Sequence, residues 1–150
     1  MIAKDPLFTV LKLATEAEEQ ASLQFRSATM DVQKAQSQLD ALNQYRLDYM
    51  TQMKAKVGTN LTSSQYQQFH KFIAQIDQAV SQQVLAVKET EKIKEHRQKN
   101  WLEKQQKRKA VESLLDKKAL KRQQAEAKSE QKLFDEFAVQ QYFRNKQLQK

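Results

Sequence analysis

The sequence predicts an all-α protein, a long antiparallel two-helix coiled-coil hairpin with an overhanging C-terminal helix, and three observations predict it. The 150 residues contain one Gly and one Pro, too little punctuation to fold many short elements around one core. Apolar residues make up only 39% and mean hydropathy is -0.85, yet they recur at helical spacing, which argues against disorder. The single glycine, Gly58, stands inside the one cluster of turn formers, KAKVGTNLTSSQY from Lys54 to Tyr66.

The first helix is expected over about 6–57. Asp5 is a good N-cap and Pro6 is tolerated at the first helical position. From Leu7 a strict 4-3 spacing visits Leu7, Leu11, Ala14, Glu18, Ala21, Phe25, Ala28, Val32, Ala35, Leu39, Leu42, Arg46, Tyr49 and Met53, and only Glu18 and Arg46 of these are polar. A 3.5-residue repeat held for so long implies a left-handed coiled-coil seam, because a 3.6-residue helix would otherwise drift off its partner. At about 1.5 Å per residue such a helix is roughly 75 Å long.

The turn is expected over about 58–62. Gly58 suits the left-handed position that closes a helix, and Thr59 and Asn60 add turn chemistry. Thr62 followed by Gln65 has the spacing of a capping box, so a second helix is expected from about 63 to 143.

The second helix repeats the seam from Tyr66 through Phe69, Ile73, Ile76, Val80, Gln83 and Val87. A reversal near residue 59 places the partner of residue i near 118 − i, so that Tyr49 faces Phe69 and Leu7 lies near Val111. Between Lys88 and Lys109 the apolar seam fails, with Ile93, Trp101 and Leu102 as its only large anchors, and Lys and Arg stems are expected to cover the alanines of the first helix. Beyond about residue 111 the first helix is exhausted. The remaining overhang has an intermittent stripe at Leu114, Leu115, Ala119, Leu133, Phe134, Phe137 and Phe143, and alone it is marginal in water.

Composition narrows the function. No cysteine means no disulfide framework and no thiolate metal site. No window approaches 18 consecutive apolar residues, and the N-terminus lacks the apolar core of a signal peptide, so a soluble chain is expected. A two-helix hairpin offers no convergent, water-excluding pocket, and its only Gly lies in the bend rather than in a phosphate loop, so an enzyme is not expected. His70 and His96 have no second ligand at metal spacing and read as solvent-facing structural residues; no cofactor is expected.

Charge is uneven. Residues 1–57 carry seven Lys/Arg and seven Asp/Glu, whereas residues 88–132 carry fifteen and eight. A basic helix of this kind could neutralise phosphates without sequence specificity. Its interspersed acids and its single stacking residue, Trp101, favour a solvated face or a match to an acidic protein surface instead, and no nucleic acid is expected as partner.

Tyr45 and Phe72 are large aromatics outside both seams, and the pairing rule sets them at nearly the same height. Gln38, Leu42, Tyr45 and Tyr49 form one 4-3-4 stripe, and Phe72, Ile76, Ala79 and Gln83 another. Side by side they form a partly exposed apolar patch, the mark of a contact surface. The competing reading is that Tyr45 and Phe72 only thicken the core.

At these residues the chain resembles the FliJ family, small cytoplasmic coiled-coil components of the bacterial flagellar type III export apparatus. The resemblance covers essentially the whole chain. It rests on the length, the turn near Gly58, the stripes Gln38-Leu42-Tyr45-Tyr49 and Tyr66-x-x-Phe69-x-x-Phe72-Ile73, Trp101, and EQKLFDEFA from Glu130 to Ala138. It implies a fold like the gamma stalk of rotary ATP synthases and three partners: a hexameric export ATPase, the membrane export gate FlhA, and late-substrate export chaperones. The gate would meet Gln38, Leu42, Tyr45, Tyr49, Phe72, Ile76, Ala79 and Gln83. The ATPase ring would meet the start of the first helix (Leu7, Leu11) and the overhang (Leu114, Leu115, Lys118, Lys121, Arg122, Phe134, Phe137). The place implied is cytoplasmic, peripheral at the inner face of the membrane through the gate. A stalk of a non-flagellar type III system, or a nonspecific nucleic-acid-binding coiled coil, would use similar physics.

Overall fold

A computed structural model describes residues 5–58 and 61–148. It contains two helices, α1 (Pro6–Val57) and α2 (Ser63–Leu148), which run antiparallel as a hairpin. The chain divides into two compact units, Glu16–Lys104 and the pairing of Met1–Thr15 with Gln105–Lys150.

Local chemistry sets the helix starts. The Leu7 backbone N–H donates to Asp5 Oδ1 at 3.0 Å and the Phe8 N–H donates to the Asp5 carbonyl at 3.0 Å, so Asp5 is the N-cap and Pro6 the residue that needs no donor. At α2 the Gln65 N–H donates to Thr62 Oγ1 and the Thr62 N–H donates to Gln65 Oε1, both at 3.2 Å. This reciprocal pair is a capping box, and it satisfies two donors that the first turn of any helix leaves without partners.

The end of α1 differs from expectation. Gly58 does not adopt the left-handed conformation, and a Cβ added there would meet nothing within 4 Å. What ends the helix at this glycine is its low helical propensity, about 1 kcal/mol worse than Ala, rather than a positive φ that only glycine could take. The turn role expected of Thr59 and Asn60 lies outside the described residues.

In the unit Glu16–Lys104 the core is thin and made of small residues. Ala21, Ala28 and Ala35 from α1 and Ile76 and Val87 from α2 are buried. Tyr49 stacks on Phe69 with ring centroids 5.4 Å apart, and Gln83 Nε2 donates to the Ala35 carbonyl at 2.9 Å; both pairs obey the 118 − i register. Longer side chains reach further. Arg46 with Asp77, Arg97 with Gln24 and Phe25 with Trp101 all meet at number sums above 118. Helical side chains lean toward their own N-terminus, and in an antiparallel pair both leans raise the sum.

After Lys88 the seam loses its apolar character, as expected, but it keeps its spacing. The 4-3 spacing continues through Thr90, Lys94, Arg97, Trp101 and Lys104, all half-buried. Ile93 and Leu102, expected as anchors, are instead 44% and 42% exposed. The phase of the repeat, fixed by Ile76 and Val87, sends them to the flanks, and being apolar does not pull them in.

In the second unit Ala14 and Val111 are buried, and Leu7, Leu11, Arg108 and Leu115 are half-buried. Lys118 Nζ donates to Asp5 Oδ2 at 3.0 Å. Pairing therefore extends to Lys118, past the expected limit near Val111, because a lysine stem spans more than a helical turn. Leu115 and Lys118 belong to the paired segment rather than to the overhang. From Asp116 to Leu148 every residue is exposed.

Candidate docking surfaces

The expected patch lies within one unit, and its eight residues divide by role. Tyr45 is 53% exposed, and its ring meets Phe72 edge-on at 6.0 Å. Phe72 also contacts Tyr49 with centroids 4.5 Å apart, so it is the half-buried floor on which Tyr45 rests. Leu42, Tyr49, Ala79 and Gln83 are half-buried, and Gln38 is exposed. Ile76 is only 5% exposed and acts as core beneath the patch; a partner could not touch much of it. Gln83 ties the helices together, since its amide also lies 3.3 Å from Gln38 Oε1. Phe72 thus thickens the core, whereas Tyr45 faces outward.

Across the seam from Tyr45, Arg46 Nε reaches Asp77 Oδ1 at 2.6 Å. The two side chains are 37% and 51% exposed, so water screens the pair and its worth is on the order of 1 kcal/mol or less. It fixes relative placement more than it adds stability. His70 is exposed, with its ring against Tyr66 at 4.4 Å and Phe69 at 5.5 Å; it packs on aromatics as well as facing solvent. Trp101 stacks almost parallel on Phe25 at 5.7 Å, one aromatic contact among alanines and cationic stems.

In the other unit the residues expected to meet an ATPase fall into two groups. Leu7, Leu11, Leu115 and Lys118 take part in the helix pairing, whereas Leu114, Lys121, Arg122, Phe134 and Phe137 are exposed, the two phenylalanines at 72% and 60%. Asp5 caps the start of α1 here and pairs with Lys118. The Leu7 amide first, and then the Lys118 ammonium, hold its carboxyl below the ordinary Asp value.

Among the described residues no group of three His, Cys, Asp or Glu could hold a metal ion, and no helix is long and apolar enough to cross a membrane.

The Flagellar FliJ protein family matches residues 3–147, nearly the whole chain. The chain belongs to the FliJ family. A Flagellar FliJ protein from Salmonella typhi is 26% identical over 132 residues, covering 88% of this chain and 90% of the relative. One from Escherichia coli strain K12 is 25% identical over the same shares. No solved structure matches. Membership in FliJ makes the chain a component of the flagellar export apparatus.

A second apolar surface at the bend is not among those expected from the sequence. Leu47, Met50, Val57 and Tyr66 are exposed there, and the signal that could have found them is their recurrence on the flank opposite Tyr45.

Proposed function

We propose that the chain is a non-enzymatic coupling protein of flagellar export that binds the hexameric export ATPase and the gate protein FlhA, and that it escorts chaperones of late substrates. One observation carries this reading: each compact unit holds an apolar surface that its own helix pairing leaves uncovered. The first is Tyr45 on its Phe72 floor, and the second is the exposed helix beyond Lys118 with Phe134 and Phe137. Uncovered apolar area of this kind on a protein without a pocketed core is a docking surface. The gate is assigned to the Tyr45 surface together with Gln38, Leu42, Ala79 and Gln83. The ATPase is assigned to the exposed helix, where Lys121 and Arg122 would steer it toward acidic walls. Peripheral placement at the membrane follows from the gate contact.

The test is a pair of variants in binding assays with the purified gate cytoplasmic domain and the ATPase. Tyr45→Ala should weaken gate binding with helicity and ATPase binding intact. A chain ending after Arg122 should do the reverse, since it keeps the Asp5–Lys118 pair and removes the exposed phenylalanines. An ATPase affinity unchanged by that truncation would sink the assignment of the C-terminal helix.

A further inference from the structure

The bend carries a second surface, on the other flank of the same seam. Tyr45 sits one residue before seam residue Arg46, whereas Met50 sits one residue after seam residue Tyr49; at about 100° per residue these are opposite sides of the stripe. On the Met50 side lies a cleft of about 290 Å³ lined by Leu47, Met50, Met53, Val57, Tyr66 and Phe69, together with Thr51 and Lys54. Leu47, Val57 and Tyr66 are 58%, 63% and 53% exposed. Met53, Tyr66 and Phe69 belong to the seam, while Leu47, Met50 and Val57 lie off it and stay exposed.

Its charge environment is one-sided. From Tyr49 to Ile76 the sequence contains Lys54, Lys56 and Lys71 and no Asp or Glu. The acids that bracket this stretch are both engaged, Asp48 by Gln44 at 3.0 Å and Asp77 by Arg46. Lys54 and Lys56 complement the negative end of the α1 dipole, which accounts for two of the three charges but not for the cleft beside them. Met50 and Met53 supply flexible, polarizable walls that adapt to different inserted side chains.

We propose that this cleft is a second docking site, and that its occupant is a short amphipathic helix of a partner protein with Asp or Glu beside its apolar anchors. A helix laid in a groove inserts large side chains at i, i+4 and i+7, which a concave cleft accepts and a flat lipid surface does not supply. Lys54 in the lining selects the acidic flank.

The test uses the full chain and a fluorescent helical peptide of about 16 residues with Leu at i, i+4 and i+7 and Glu beside them, against the same peptide with Lys in place of Glu. The Glu peptide should bind at least about tenfold more tightly at moderate salt. Leu47→Glu and Val57→Glu, both at exposed positions, should remove that binding with unchanged helicity. Lys54→Glu should shift the preference toward the Lys peptide, and Tyr45→Ala should change nothing, which separates this site from the surface assigned to the gate. Equal binding of the two peptides, no binding, or a loss with Tyr45→Ala as large as with Leu47→Glu would overturn the proposal. So would capture by phosphatidylglycerol vesicles that Leu47→Glu abolishes while neither peptide binds.

Discussion

Two stretches of one seam, in the same compact unit, share a spacing and differ in chemistry. Near the bend, Tyr49, Phe69, Phe72 and Ile76 fill the interface with rings and a branched chain. Further along, Ala21 and Ala28 are buried on the α1 side, while the α2 seam positions are Thr90, Lys94, Arg97, Trp101 and Lys104. The 4-3 repeat decides which positions face the partner helix; it does not decide how much energy each contributes. Apolar burial is worth roughly 25 cal/mol per Å², whereas a lysine stem that keeps its head in water buries only its methylenes and gives up rotamer freedom. The bend half is therefore the stable one, and the alanine-cation half opens first. Hydrogen exchange should show it directly, with slower amides around Ile76 than around Lys94.

The largest effect expected from a single substitution is in the ring-filled stretch. Ile76→Ala should cost about 2–4 kcal/mol by the usual penalty for emptying a packed site, read as a lower denaturant midpoint. A loss under about 1 kcal/mol would show that the two stretches do not differ as described. Trp101→Ala is the corresponding substitution in the cationic stretch. Half-buried and stacked on a single ring, it should cost about 1–2 kcal/mol, and exchange should quicken around it more than around Ile76. Arg46→Ala, at the screened pair, should change stability by no more than about 1 kcal/mol, and added salt should shrink that difference.

Smaller still is a pH effect in the other unit. The Asp5 carboxyl is held below its ordinary value of 3.8 by the Leu7 amide and Lys118, so its contribution is complete above that value and is lost as pH falls through the lowered one. Asp5→Asn retains a cap but loses the charge. Its small destabilisation at neutral pH should vanish on acidification below the ordinary Asp range, as followed by thermal melts. Gly58→Ala should do least, shifting stability by a few tenths of a kcal/mol, since its conformation is open to alanine and nothing crowds the site.

Much of the fold was legible because its determinants are local. Asp5-Pro6 and the Thr62–Gln65 pair announce helix starts through hydrogen bonds a few residues long, and the 4-3 repeat fixes the antiparallel partner of Tyr49 and Ala35. The misplaced residues show where local reasoning stops. Residue type makes Ile93 and Leu102 look like anchors, but position in the repeat overrides hydrophobicity when a seam is one stripe wide. Residue pairing counts backbones and so puts Lys118 in the overhang, whereas Asp5 is reached by the length of a side chain. Tyr45 was legible as an outlier from both seams, yet the division of labour with Phe72 depends on ring geometry that spacing does not carry. The cleft beside Met50 needed two faces to be seen together, one from each helix.

Gln83 shows how alignment and recognition constrain each other. Its amide closes on a main-chain carbonyl of α1, and a polar group in an apolar stripe is most costly when a slipped alignment leaves it without a partner. Leucine at this position would leave no amide to orphan, so it would make neighbouring alignments more nearly degenerate. A residue that indexes the two strands of a hairpin is not free to vary with a binding partner. If a partner does settle on this flank, it must adapt to the glutamine, and compensating changes between the two proteins should accumulate around Tyr45 and leave position 83 alone.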